Sequence, residues 1–264
     1  MKTLVVGAGA MGRWLGTVLK ESGPRETSLS FLDPKESVAE DAASELDGTA
    51  VVPGEGDTYE LVCIAVPIPA TTTAIEEHAP AAETAIIDVT GTMEEPVSTM
   101  RNAAPDCERA SLHPLFAPEN EPGNVPTVVD NDGPVVEVVL DALRNRGNEI
   151  VETTAARHDE IMETVQARAH TAVLAFALSA NTVPDAYQTP ISAELFELAD
   201  QVTGGESRVY ADIQDAFEGA GDVADAAREI AAADRDAFEQ LYENAARYLR
   251  DTSKNPTHEG KNNK

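Results

Sequence analysis

The chain has 264 residues, with 47 acidic against 19 basic side chains and a formal net charge of −28. That charge repels phosphate backbones and anionic head groups, so neither nucleic acid nor a membrane surface is expected as a partner. No apolar run reaches the length of a spanning helix, and 42% hydrophobic residues are enough to bury the core of one large domain or two ordinary ones. Cys63 and Cys107 are two lone thiols, which make neither a disulfide framework nor a metal site. A reducing, cytoplasmic compartment and no metal are expected. The start, MKTLVVGAGAMG, runs straight into a strand and a glycine turn, as expected of a mature cytoplasmic N-terminus. The basic complement is skewed to thirteen Arg against six Lys, and the carboxylates are dispersed along the whole chain. Dispersed carboxylates hold water and cations at high salt, and the composition reads as that of a halophilic cytoplasm.

Taken in chain order, residues 2–6 (KTLVV) read as a buried strand that breaks at Gly7-Ala8-Gly9-Ala10-Met11-Gly12 and resumes as a helix through Leu19. A second strand, Leu29–Leu32, ends at Asp33 and is followed by a helical pattern over 36–46. LVCIAVP (61–67) and AIIDVT (85–90) are two further buried strands, and 94–103 is helical. Thr127–Val129 and Glu149–Val151 read as late strands flanking a helix at 134–146. Strands alternating with helices imply a doubly wound parallel sheet of the Rossmann type, an α/β fold. From Ala155 to about Leu249 the pattern is almost all helix, broken by Pro184, Pro190 and Gly204-Gly205. The expected organisation is therefore a dinucleotide-binding domain over 1–154, an all-α domain over 155–250, and a disordered tail over 251–264, where DTSKNPTHEGKNNK has no apolar residue to offset ordering entropy.

GAGAMG directly follows a buried strand and opens a helix, the context that turns a weak GxGxxG match into a dinucleotide-binding candidate. Gly7 allows the tight turn, Gly9 lets the pyrophosphate approach, Gly12 lets helix pack on strand, and the amides around Ala10 and Met11 face the phosphates. Asp33, 21 residues beyond Gly12, stands where the fingerprint expects an acid for the ribose hydroxyls, which favours NAD over NADP. The plainer reading of Asp33 is a strand-end turn residue before Pro34. His113, in Ser111–Pro118 (SLHPLFAP), lies near the carboxyl edge of such a sheet, either as a base near neutral pH or as a packed core imidazole. Thr90 and Thr92 offer hydroxyls at the same edge, or else form an ordinary turn. In HDEIMETVQARAH (158–170), Gln166 and His170 are four apart and share a helix face, which suggests a lined pocket or a solvated stripe.

These segments resemble those of the prephenate and arogenate dehydrogenases of tyrosine biosynthesis. LHPLFAP is similar to that family's HPMFGP segment, HDEIMETVQARAH to its HDxxMxxVQxxxH helix, and AVPIPATTTAIEE to the strand, loop and helix after its cofactor site. The resemblance covers about residues 1–250, with the three segments in the family's order. It implies NAD-dependent oxidative decarboxylation of prephenate to 4-hydroxyphenylpyruvate, with arogenate as the alternative substrate. His113 matches the catalytic His that accepts the proton of the ring hydroxyl. Val66 and Pro67 fall at the cofactor, and Thr90, Thr92, Gln166 and His170 on the substrate side. A homodimer interlocked through the helical domain is implied as well. Two positions depart from the family pattern. Gly91 stands where a DxxSxK pattern has Ser, and Gln201 stands where the family's carboxylate-clamping Arg falls, with Arg168 and Arg208 as the available substitutes.

Other readings compete. Ketopantoate, imine and 3-hydroxyacid reductases share the layout but use a Lys on the first helix of the second domain, and residues 155–250 contain no Lys. A degenerate, non-catalytic NAD sensor is the alternative from another class. The charge itself generates a prediction, because the Debye length is about 3 Å at 1 M salt and only concentrated salt screens −28 charges. The melting temperature should climb from dilute buffer to multimolar potassium chloride; a flat or falling series removes the halophilic reading.

Overall fold

A computed structural model describes residues 1–51 and 57–254. Its first part alternates β1 (Lys2–Val6), α1 (Ala10–Ser22), β2 (Ser28–Leu32), α2 (Glu36–Glu45), β3 (Thr49–Ala50), β4 (Tyr59–Ile64), α3 (Thr71–His78), β5 (Ala82–Asp88), α4 (Glu94–Ala103) and β6 (Glu108–Leu112). Then come β7 (Asn124–Asn131), α5 (Pro134–Asn145) and β8 (Glu149–Glu152). The strands form one sheet in the order β3-β2-β1-β4-β5-β6-β7-β8. The chain winds outward from β1 to β3, then crosses to β4 on the other side of β1. This makes a switch point between β1 and β4, where the carboxyl ends of parallel strands leave a ligand crevice.

Side chains on a strand alternate between faces, and here both faces are covered. Val5 joins Trp14, Leu15, Phe31, Val139 and Leu143 in one buried layer under α1, α2 and α5. Leu4 and Val6 join Ile75, Val97 and Met100 in the other, under α3 and α4. The parallel run holds from β3 through to β6; β7 then pairs antiparallel with β6, and β8 runs parallel to β7. The sheet is thus mostly parallel, with a reversed pair at one edge that strand and helix alternation did not reveal.

β6 was not foreseen as a strand, and Arg109 explains why. A charge in a five-residue segment reads as exposed, yet Arg109 is buried. Its Nη1 donates to the carbonyl oxygens of Ala104, Pro105 and Cys107 at 2.8–2.9 Å, and its Nε donates to Asp130 Oδ2 at 2.9 Å. Three carbonyl oxygens and a carboxylate thus surround the guanidinium, and the ion is tolerated inside. Next to it, Glu108 Oε2 accepts the amides of Val135 and Val136 at 2.8 Å, tying β6 to the first turn of α5. These bonds fix the strand whose end carries His113.

After β8 the chain is helical: α6 (Ala155–Met162), a π-helical turn (Glu163–Arg168), α7 (Ala169–Ser179), α8 (Pro190–Thr203), α9 (Ser207–Ala216), α10 (Ala220–Ala232) and α11 (Arg235–Lys254). The Thr154 hydroxyl accepts the Arg157 amide and starts α6, and Thr189 with Ser192 forms a capping box on α8. Contacts divide the chain into two compact units, one running from Met1 to Glu218 and one beginning at Gly219. The first unit holds the sheet and the helices through α9; the second holds α10 and α11. Residues 251–254, expected to be disordered, complete α11, while 255–264 lie outside the described residues. Among the described residues no helix is long and apolar enough to cross a membrane.

Candidate functional site

The glycine turn between β1 and α1 is shaped by close backbone contacts. Gly7 has φ +92, and a Cβ there would lie 2.3 Å from the carbonyl oxygen of Ala65 at the end of β4. A Cβ on Gly12 would lie 1.9 Å from the Gly7 carbonyl oxygen. Gly9 meets nothing within 4 Å, so the turn is open on that side. Gly9 caps α1 without a side-chain bond, and the amides of Ala10, Met11 and Gly12 in the first turn have no helical acceptor. Asp33, at the end of β2, accepts the Ala8 amide at 3.1 Å through Oδ2 and the Lys35 amide at 2.9 Å through Oδ1. Half-buried Val66 closes the far wall, with Cγ1 3.1 Å from the Gly7 Cβ position, and Pro67 follows it. Unpaired amides at a helix N-terminus, an open glycine and a carboxylate at the neighbouring strand end fit the pyrophosphate and ribose of a dinucleotide.

Along the same edge of the sheet, His113 directly follows β6 and is buried. Its Nδ1 lies 2.8 Å from Nε2 of His158 on α6, and Nδ1 of His158 lies 2.7 Å from Asp159 Oδ1. Asp159 in turn accepts the amides of Met93 (Oδ1) and Glu94 (Oδ2) at 3.0 Å, at the start of α4. A carboxylate only accepts, so His158 donates from Nδ1. With His158 Nε2 as acceptor of the Nδ1–H of His113, the Nε2 lone pair of His113 faces the Gln166 amide nitrogen. Burial pushes the His113 imidazole down to about 3, reinforced by His158 and opposed by Asp159, so the ring is neutral at pH 7.

Around His113 Nε2 the structure gathers Gln166 and Gly91. Gln166 Nε2 is 3.4 Å away, and its Oε1 is buried and unpartnered among the described residues. A Cβ on Gly91 would sit 3.8 Å from His113 Nε2 and 2.9 Å from Ile68 Cδ1. The hydroxyl of Thr90 is committed elsewhere: it donates to Asp88 Oδ1 at 2.7 Å and lies 3.2 Å from the Thr92 carbonyl oxygen. Asp88, fully buried at the end of β5, is pushed up to about 7 by burial, against the hydrogen bonds from Thr90.

Other expected residues lie farther out. Thr92 borders an acidic cavity of about 380 Å³ with Glu94, Asp159, Glu160, Glu163 and Phe217. His170 stacks edge-on against Tyr210 at 4.9 Å. Gln201 and Arg208 are exposed on α8 and α9, and Arg168 pairs with Glu163 at 3.3 Å on its own helix. Sequence reasoning did not single out His158 or Asp159. Their signal was a His-Asp pair opening a helix 45 residues beyond His113, and only the fold brings the two imidazoles together.

Comparison with known proteins bears on this site. The family described as prephenate dehydrogenase, nucleotide-binding domain, matches residues 15–127. The 4-amino-4-deoxyprephenate dehydrogenase of Streptomyces pristinaespiralis is 33% identical over 235 residues, which cover 82% of this chain and 77% of that protein. In fold, the chain is similar to the prephenate dehydrogenase of A. aeolicus crystallised with hydroxyphenyl propionate and NAD+ (TM-score 0.71, 14% identity, covering 96% of this chain and 98% of that one). It is similar also to Synechocystis arogenate dehydrogenase (TM-score 0.61, 18% identity, covering 96% and 99%). With one third of its residues shared over four fifths of its length with a dehydrogenase of cyclohexadienyl acids, the chain belongs to the prephenate and arogenate dehydrogenase family.

Proposed function

We propose that the chain is an NAD-dependent prephenate dehydrogenase that converts prephenate, with loss of carbon dioxide, to 4-hydroxyphenylpyruvate. The observation that carries this reading is the hydrogen-bonded chain Asp159–His158–His113, which ends in a buried, neutral imidazole whose Nε2 has the Gln166 amide at 3.4 Å, a weak contact that a substrate hydroxyl can replace. His113 Nε2 takes the proton of the ring hydroxyl as its carbon becomes carbonyl-like. When bound, the nicotinamide dinucleotide supplies the acceptor for the hydride leaving that carbon. The bond to the ring carboxylate then breaks, its electron pair enters the ring, and His113 returns the proton to the phenolate oxygen. His158 and Asp159 keep the Nδ1 proton in place throughout, so the base acts from Nε2 alone.

In this reading Gly7, Gly9, Ala10, Met11 and Gly12 hold the pyrophosphate, Asp33 the ribose, and Val66 and Pro67 border the nicotinamide half. On the substrate side Gln166 stands beside His113 Nε2, whereas the Thr90 hydroxyl is taken by Asp88 and His170 packs on Tyr210. Two free cysteines, both buried, suit a cytoplasmic setting. The protein acts as a homodimer through its helices. Most side chains of α7 are apolar yet none is buried, with Leu178 89% exposed, and Ile191 on α8 is 74% exposed. Light scattering should give the mass of two chains, and Leu178→Glu should shift the protein towards one.

A second reading has a ring amine as substrate, as the name of the Streptomyces relative suggests. An amine has more than one hydrogen to donate, and the unpartnered Gln166 Oε1 lies beside His113 Nε2 as a second acceptor. The deciding experiment follows NADH formation in concentrated potassium chloride with prephenate, arogenate and 4-amino-4-deoxyprephenate in turn. Highest kcat/KM with prephenate is expected; turnover of the amine alone selects the second reading, and NAD binding without turnover of any of the three overturns both.

In the same assay His113→Asn should lower kcat by roughly 10²- to 10⁴-fold while NAD affinity is kept. The variant also reports on pH. Between pH 6.5 and about 3 the unfolded chain takes up a proton at His113 that the folded chain refuses. This site therefore costs stability progressively as pH falls through that window. The melting temperature of His113→Asn relative to wild type should rise from pH 7 to pH 4; a constant difference would mean that the buried ring is not held neutral.

For the cofactor, Asp33→Ser removes the charge that disfavours a 2′-phosphate, and it should narrow the preference of NAD over NADP in kcat/KM. An unchanged ratio removes Asp33 from the ribose site.

A further inference from the structure

α6 and α7 do not join as one regular helix. Between them, Glu163–Arg168 forms a π-helical turn, and Gln166 lies inside it. Such a turn bonds each carbonyl to an amide five residues on, packs less well than an α-turn, and persists where something holds it open. Here the support comes from α9. Gln214 Nε2 donates to the carbonyl oxygen of Ala167 at 3.1 Å, and Gln214 Oε1 accepts from Thr171 Oγ1 at 3.0 Å. One side-chain amide thus brackets the end of the wide turn and the first residues after it. Below it, fully buried Ala167 packs with Met162, Ile213 and Phe217, which seats the turn on α9. The residue before Ala167 is Gln166, whose amide lies 3.4 Å from His113 Nε2.

We infer that Gln214 is a positioning residue: by bracketing the π-helical turn from α9 it holds the Gln166 amide against the reactive nitrogen of His113. The inference rests on the reading of His113 as proton acceptor. The side-chain bonds of Gln214 run to Ala167 and Thr171. It acts through the helix backbone, and a shift of the turn by about 1 Å is enough to spoil the alignment of a reacting group.

The test uses the full chain and whichever of the three cyclohexadienyl acids wild type turns over. Gln214→Leu removes both bonds and should cut kcat/KM for that acid by about 10- to 100-fold, with NAD affinity unchanged. Gln214→Glu still accepts from Thr171 but, ionised, has no hydrogen for the Ala167 carbonyl. Its kcat/KM relative to wild type should therefore recover as pH is lowered from 7 towards 4, through the ordinary carboxyl range, and the carboxyl gains a proton. A folded Gln214→Leu protein with wild-type kcat/KM overturns the proposal, as does a parallel loss of rate and NAD affinity in proportion to unfolded protein. If Gln214→Leu does not fold, the Gln214→Glu profile decides, and a ratio flat with pH overturns it. If wild type turns over none of the acids, the reading of the reaction fails by itself. The positioning is then read from the ¹⁵N shift of His113 Nε2, which Gln214→Glu should move; an unmoved signal overturns the proposal on its own.

Discussion

The bond between His113 Nδ1 and His158 Nε2 is the joint on which the site depends. His113 hangs from the end of a sheet strand and His158 stands on the first helix after the sheet. Between them a single proton settles which nitrogen of His113 faces the open edge. Asp159 removes the remaining freedom by accepting from His158 while also accepting the Met93 and Glu94 amides at the start of α4. A buried polar chain of this kind is expensive if any member is unmet and rigid if all are met. Here it runs from helix amides through carboxylate and imidazole to the Nε2 of His113, so satisfying the buried groups and presenting that nitrogen are the same arrangement.

The rest of the fold serves that arrangement at short range. β6 is only five residues long and carries a buried cation, yet Arg109 is bonded to three carbonyls and Asp130, and Glu108 to the first amides of α5. The strand that ends at His113 is therefore pinned on both sides by charged groups whose partners are local. These pairs are largely shielded from solvent, so salt screens them less than it screens the exposed carboxylates that dominate the −28 charge. Concentrated salt can relieve repulsion over the surface without loosening the strand beneath the site.

Local signals made most of the sheet legible. The apolar run of β1 breaking into GAGAMG, the Val- and Ile-rich β4 and β5, and the helix over 94–103 each follow from composition within a few residues. β6 was illegible because the partners that neutralise Arg109 are invisible to periodicity. The reversal at β7 was illegible because a strand carries no mark of its direction. At the site, the glycines and His113 could be named from sequence, whereas His158 and Asp159 could not be given a part. Their contacts span 45 residues to His113 and 65 or 66 to α4, and hydrogen-bond geometry at that separation belongs to the fold. The π-helical turn was hidden for a related reason. Gln166 and His170 look like neighbours on one helix face, but the structure sends one to His113 and the other to Tyr210.

Gly91 shows how the remaining parts trade roles. With Gly91 where the family pattern has a serine, the flanking threonines are the natural substitutes, and neither geometry fits that role. Thr90 already gives its hydrogen to Asp88, and Thr92 borders the acidic cavity. A side chain restored at Gly91 would meet Ile68 at 2.9 Å before it reached His113 at 3.8 Å. The donor that does stand beside His113 Nε2 is the amide of Gln166. In the proposed reaction, orientation beside His113 Nε2 rests on an amide in a widened helix turn, and its accuracy becomes a property of the helices that hold the turn open.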